Sequence, residues 1–193
     1  MTDVRVARVA DRVHAAAATT SVLAETREGV AVRALLRTLL ARVAGERAAT
    51  TPIAARPSGQ PYLPALPGVE VSLSHAGVWM AAAVHTGGGR VGIDVQPALT
   101  ASDRMVTRCC TPAARAALVG LPEPLRAVEL AWIWSVQEAC VKATGAGISG
   151  RPWTIPVEVG QTAGRWSDLA WSELRGWLPV PVSCAHGAPD IVP

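Results

Sequence analysis

No apolar run in this 193-residue chain approaches the roughly 20 residues that a membrane-spanning helix needs. The first thirty residues scatter Arg5, Asp11, Arg12 and Glu25 among alanines, with no apolar block of the signal-peptide kind. Neither secretion nor membrane insertion is expected. Cysteine is scarce as well: of the four, Cys109 and Cys110 are adjacent while Cys140 and Cys184 stand alone, which fits neither metal-finger spacing nor a disulfide framework. A reducing, cytoplasmic setting follows as the expectation. The excess of positive charge is small, 18 Lys+Arg against 15 Asp+Glu, far from the dense basic stripes of nucleic-acid binders. It suits a small anionic ligand or an acidic partner. No zinc, flavin or nucleotide-fold signature is visible.

What is present is ordinary globular material. Half of the residues are hydrophobic and 17% are charged, which excludes a disordered polyelectrolyte. The length allows one compact unit or a fused pair. From Ser21 to Gly45, apolar residues recur at helical spacing (Val32, Leu35, Leu36, Leu39, Leu40, Val43) up to a glycine stop, which predicts an amphipathic helix. Its arginines Arg27, Arg33 and Arg37 read as a solvated face or as ligands. ARPSGQPYLPALPG, rich in Pro and Gly, predicts a surface loop. VEVSLSH, VWMAAAVH and RVGIDVQ predict three strands of an antiparallel sheet, the last two joined by TGGG as a hairpin. Leu125 to Thr144 predicts a second helix, followed by strands at WTIPVEV and WLPVPVSCAH. The order helix, strands, helix, strands suggests an α+β fold of two similar halves, residues 1–100 and 101–193, with the break near 97–103.

Two stretches carry chemistry. In RVGIDVQ, strand alternation sends Val91, Ile93 and Val95 to one face and Gly92, Asp94 and Gln96 to the other. Two oxygen-bearing side chains beside a glycine can hold a hard cation such as Mg²⁺ when phosphate and water complete its shell. The alternative is a solvent-facing strand. In WSVQEACVKATG, Leu130, Trp134 and Val141 share a helical stripe with Gln137 inside it, Glu138 near its edge and Lys142 further round. A Glu four residues before a Lys can be a surface pair worth ~0.2–0.5 kcal/mol. That accounts for the pair and leaves the polar Gln137 in an apolar stripe without a reason.

GID in VGIDVQP and WSVQEACVKATGAGIS together resemble the paired signature of the Sfp-type 4′-phosphopantetheinyl transferases, G-[IV]-D and W-[ST]-x-K-E-[SA]-x-x-K-x-x-G. SLSHA at Ser72 to Ala76 resembles their S-x-S-H segment and GQPYLP their G-K-P segment, in the same order, over about residues 24–150. The resemblance implies the family's fold, a pseudo-dimer in which each half packs an antiparallel sheet with a long helix and the active cleft lies between the halves. It implies a reaction as well: the serine hydroxyl of an apo acyl, polyketide or peptidyl carrier protein attacks the β-phosphorus of coenzyme A, takes the phosphopantetheine arm and releases 3′,5′-ADP. The implied ion is Mg²⁺, with Mn²⁺ as the alternative, held by Asp94 and Glu138 with Gln96 beside them. Lys142 adds positive charge, and Glu138, directly or through water, accepts the serine proton. For coenzyme A the implied contacts are Ser74, His75, Lys142 and Arg33, with Arg27, Arg56 and Gln60 as further candidates. A cleft formed within one chain fits a monomer, with neither nucleic acid nor membrane as partner.

Three positions usually charged in the family are glutamine here: Gln60 for the lysine of G-K-P, Gln96 for the acid after Asp94, and Gln137 for the lysine before Glu138. Gln96 still offers a carbonyl oxygen, and Gln137 cannot serve as a lysine base. These departures support a second reading, a degenerate member that binds coenzyme A or a carrier protein without transferring anything. A third, a basic module using the Arg-rich first helix on nucleic acid, has no recognised motif or aromatic platform beside it.

Overall fold

The computed structural model describes the backbone of residues 2–20 and 25–189, with side chains from 4 and from 29 onward in those two stretches. It is a mixed α+β structure in four layers, helix, sheet, sheet, helix. Strands β1 (Thr2–Ala10) and β2 (Val13–Thr19) form an antiparallel hairpin that turns at Asp11 and Arg12. They are followed by α1 (Glu25–Ala44), the five-residue α2 (Glu46–Thr50), the two-residue β3 (Ala54–Ala55) and β4 (Pro61–Tyr62), and then β5 (Glu70–Ala76) and β6 (Trp79–His85). These strands make a six-stranded sheet in the order β1-β2-β6-β5-β4-β3. One face of it takes α1, whose buried Val32, Leu35, Leu36, Leu39 and Leu40 meet Val71, Met80, Ala82 and Val84. The periodicity read from the sequence is the reason: those leucines recur every three or four residues and form one stripe.

The opposite face of that sheet is built from small side chains, Ala15, Ala81 and Ala83 with Ser72 and Ser74 of β5 in the alternate register. Against it lies a four-stranded sheet in the order β7-β10-β9-β8, made of β7 (Val91–Val95), β8 (Ala163–Trp166), β9 (Leu169–Glu173) and β10 (Val182–His186). Val91, Ile93 and Val95 join Val182 and Cys184 in the core between the sheets, as alternation predicts. The outer face of this second sheet is covered by α5 (Glu123–Thr144), after two short helices α3 (Asp103–Cys109) and α4 (Pro112–Val119). Helix α5 carries Pro124 in its first turn, where a missing N–H costs nothing, and stops at Gly145 in the left-handed conformation with φ 70°.

Several sequence expectations change. TGGG is no hairpin: β7 leaves β6 and pairs antiparallel with β10, Asp94 opposite Ser183. Amides of alternate residues in β7 therefore face away from β10, and serine hydroxyls of β5 take them, Ile93 N donating to Ser72 Oγ at 3.1 Å and Val95 N to Ser74 Oγ at 3.2 Å. WTIPVEV is not a strand, since Pro152 and Pro156 lack ladder donors; it forms a short 3₁₀ turn at Pro152–Thr154, and Ile155 and Val157 fill the core under α5. WLPVPVSCAH enters the ladder only at Val182, past Pro179 and Pro181. The loop expected at ARPSGQPYLPALPG contains the brief β3–β4 pairing of Ala54 with Tyr62 and Ala55 with Pro61. The β1–β2 and β8–β9 pairs had no counterpart in the sequence reading; runs of alanine and glycine have low strand propensity, and neighbouring strands supplied the preference.

Candidate active site

Gly92 sets the height of the site. A Cβ there would fall on the carbonyl oxygen of Ala139 and the amide nitrogen of Ala143, so only glycine lets α5 lie directly on β7. That contact brings the edge of α5 over the next inward residue of the strand, Asp94. Asp94 is 5% exposed, and its Oδ1 accepts from Lys142 Nζ at 2.6 Å and from Ser74 Oγ at 2.7 Å. Its Oδ2 is buried with no hydrogen-bond partner among the described residues. Lys142 also donates to Ser74 at 3.0 Å.

Glu138, one helical turn before Lys142, lines a pocket of about 240 Å³ together with Lys142, Gln60, Ser72 and Gly145. Burial pushes the Glu138 carboxyl above the ordinary carboxylate range; the charge of Asp94 adds in the same direction and Lys142 opposes it. Glu138 and Lys142 thus line the pocket, and Lys142 ties it to the buried Asp94 carboxylate. Gln60 closes it from the β3–β4 turn, its Oε1 2.6 Å from where a Cβ on Gly145 would stand. Among the described residues no group of three or more His, Cys, Asp or Glu is suited to a metal ion. An unpartnered buried carboxylate oxygen and a second carboxyl beside it are nonetheless the hard donors that Mg²⁺ takes when phosphate and water supply the rest.

The other sequence candidates lie as follows. Ser74 is buried against Asp94, whereas His75, next along β5, is exposed. Gln96 sits one residue past β7; its side-chain amide donates to Pro97 O at 3.2 Å and its backbone to Pro181 O at 2.9 Å, with no bond to Asp94. Arg33 is exposed on α1 and donates to Ile53 O at 3.4 Å. Arg56 lies 3.8 Å from Glu70 and over the Tyr62 ring. The side chain of Arg27 lies outside the described residues. Gln137 is fully buried, its Nε2 donating to Cys109 O and Ile155 O at 2.8 Å each, so the polar residue in the apolar stripe ties α5 to α3 and to the 3₁₀ turn. Ser72 was not among the candidates. The signal was there in S-L-S, two hydroxyls on the same strand face, but only the crossover of β7 gives both a partner.

The family model described as the 4′-phosphopantetheinyl transferase superfamily matches residues 90–170, the stretch that holds β7 and α5 and hence Asp94, Glu138 and Lys142. A curated relative, a 4′-phosphopantetheinyl transferase of Bacillus subtilis, is 28% identical over 115 residues. Over these residues the chain is similar to the 4′-phosphopantetheinyl transferase superfamily. The match to that relative covers 60% of this chain and about half the length of the relative. Within the superfamily match, the two residues that meet across the site, Asp94 and Lys142, come from its two principal elements, the strand and the helix. Gln60, Ser72 and Ser74 lie before it.

Proposed function

We propose that this chain transfers the 4′-phosphopantetheine arm of coenzyme A to a serine of an apo carrier protein, in the manner of the Sfp type, and releases 3′,5′-ADP. The observation that carries the reading is the contact of the pocket-lining Lys142 with the buried Asp94, whose Oδ2 has no partner among the described residues, with Glu138 lining the same pocket. Phosphoryl transfer requires in-line positioning and neutralisation of oxygen charge more than covalent help, and the Lys142 ammonium lining the pocket supplies positive charge for the second. Asp94 and Glu138 would hold Mg²⁺ or Mn²⁺. The bound ion supplies charge neutralisation at the pyrophosphate oxygens. Lys142 swings from Asp94 toward those oxygens and adds its own charge. Glu138, whose carboxylate burial makes more basic than an ordinary one, takes the proton of the attacking serine directly or through water.

In this reading the halves 1–100 and 101–193 form a pseudo-dimer and the cleft between them is the active site. Strand β7 precedes the boundary in sequence and is built into the second sheet, so it is the seam on which both halves meet. Coenzyme A lies over Gln60 and Lys142, with His75, Arg33, Arg56 and Arg27 as its outer phosphate contacts and Gln96 at the rim of the cation site. The cleft forms within one chain, so a monomer in the cytoplasm suffices. Incubation with coenzyme A, Mg²⁺ and an apo carrier protein, followed by mass spectrometry of the carrier, tests the proposal. Added arm mass on the carrier serine supports it. Coenzyme A binding without any added mass would favour instead the degenerate, non-transferring reading that the three glutamines suggest.

A further inference from the structure

A serine hydroxyl can make three hydrogen bonds, one donated and two accepted. Ser74 makes all three inside the protein: it donates to Asp94 Oδ1 at 2.7 Å and accepts from Val95 N at 3.2 Å and from Lys142 Nζ at 3.0 Å. With the residue 7% exposed, neither a proton nor a lone pair remains for a phosphate. Turning Lys142 away frees only a lone pair, which repels phosphate oxygen. In this arrangement the hydroxyl of Ser74 is committed to partners within the protein.

Those partners indicate a role. Both donors to Asp94 act on the same oxygen, and they come from different layers, Ser74 from β5 of the first sheet and Lys142 from α5 over the second. A carboxylate held on one oxygen from two directions is fixed in rotation about its Cβ–Cγ bond. Its other oxygen then has a set direction and stays unpartnered, as Oδ2 is. We propose that Ser74 is a positioning residue: it tethers Asp94 by Oδ1 across the seam between the sheets, so that Oδ2 is the oxygen presented to a divalent cation. The inference rests on the transferase reading only for the existence of that cation. When Lys142 leaves for the pyrophosphate, Ser74 is the tether that remains.

Ser72 provides the control. Its hydroxyl accepts from Ile93 N at 3.1 Å, a seam bond equivalent to the one Ser74 makes with Val95, without a bond to Asp94. Mn²⁺ is titrated into the protein with coenzyme A present, and free Mn²⁺ is read by electron paramagnetic resonance. Removing a partner that orients a metal ligand weakens metal affinity roughly 10–100-fold, and that is the loss expected for Ser74→Ala. Ser72→Ala, which lines the pocket without bonding Asp94, should lose comparable thermal stability and shift the Mn²⁺ midpoint far less than Ser74→Ala, while Ser74→Thr, which keeps the hydroxyl, should recover most of the affinity. If Ser74→Ala does not fold, Ser74→Cys keeps the volume with a poorer donor and serves the same comparison. Equal weakening in the two alanine variants assigns the effect to the seam and overturns the proposal, as does an unchanged midpoint in Ser74→Ala. Wild-type protein that binds no Mn²⁺ in an Asp94-dependent way overturns the cation site and this inference with it. Asp94-dependent Mn²⁺ binding that weakens in Ser74→Ala, without arm transfer by the wild type, supports the tether and removes the proposed reaction.

Discussion

Replacing Lys142 with methionine keeps the packing of its stem and removes the ammonium that donates to Asp94 at 2.6 Å and to Ser74 at 3.0 Å. The two partners are unequally buried: the Lys142 side chain is 28% exposed, the Asp94 side chain 7%. Removing one member of a fully buried pair costs about 3–5 kcal/mol, because the remaining charge has no compensation. Here water reaches the space that Lys142 vacates, which discounts the loss for Lys142→Met to about 2 kcal/mol. For a chain of this size that is a fall in Tm of roughly 4–8 °C. Asp94→Asn is the informative reciprocal. It leaves behind an ammonium that can rotate into solvent, and asparagine can still accept from Ser74, so it should cost under about 1 kcal/mol. The double variant should resemble Asp94→Asn alone, since methionine then strands no charge, and the cycle yields the coupling of the pair. Urea unfolding of the four proteins, with unchanged m-values as the check on two-state behaviour, measures all of this. Lys142→Met within about 0.5 kcal/mol of wild type, or Asp94→Asn costing more than Lys142→Met, would refute the argument from unequal burial.

Other outcomes follow from the same geometry. Glu138→Gln keeps the shape of the pocket and removes a charge beside the reacting phosphate, so arm transfer should fall roughly 100-fold or more with little change in Tm, read by single-turnover mass spectrometry. Gln137→Leu strands the buried carbonyls of Cys109 and Ile155 and should lower stability by about 2 kcal/mol, measured in urea, with the pocket residues undisturbed. Arg33→Ala should raise the KM for coenzyme A more than it lowers kcat, the mark of a remote contact; equal KM shifts with 3′-dephospho-coenzyme A would show that Arg33 does not read the 3′-phosphate. His85 is held below its ordinary value of 6.5 by burial first and then by His186 and Arg12. The unfolded chain therefore binds the proton at higher pH than the folded one, so stability is lost as pH falls below about 6.5. His85→Asn, whose carbonyl can replace Nδ1 as acceptor for the Gly87 and Gly89 amides, should flatten thermal stability against pH in that range, while an unaltered slope would assign the effect to His186.

The faces that carry Asp94 and Glu138 were legible from the sequence because they depend on local period. Alternation in VGIDV put Asp94 opposite the valines, and the helical period put Glu138 near the edge of a core stripe with Lys142 further round; in the folded protein the valines are in the core and Glu138 and Lys142 line one pocket. The leucine repeat of α1 and the glycine stop after it, Gly45, were readable for the same reason. What alternation does not encode is which strand a strand pairs with. The residues TGGG are compatible with a hairpin or a crossover, and the choice rests on partners about ninety residues further on, Ser183 and its neighbours in β10. That choice laid β7 against β5, gave its spare amides to Ser72 and Ser74, and brought the Ser74 hydroxyl onto Asp94. Likewise Gln137 could be identified as a departure from the family, but its two carbonyl partners come from Cys109 and Ile155, far apart in the chain. The sequence by itself determined the periods, and with them which side chains share a face. Tertiary structure decided what each face meets, because hydrogen-bond capacity is filled by whichever groups the packing brings within about 3 Å.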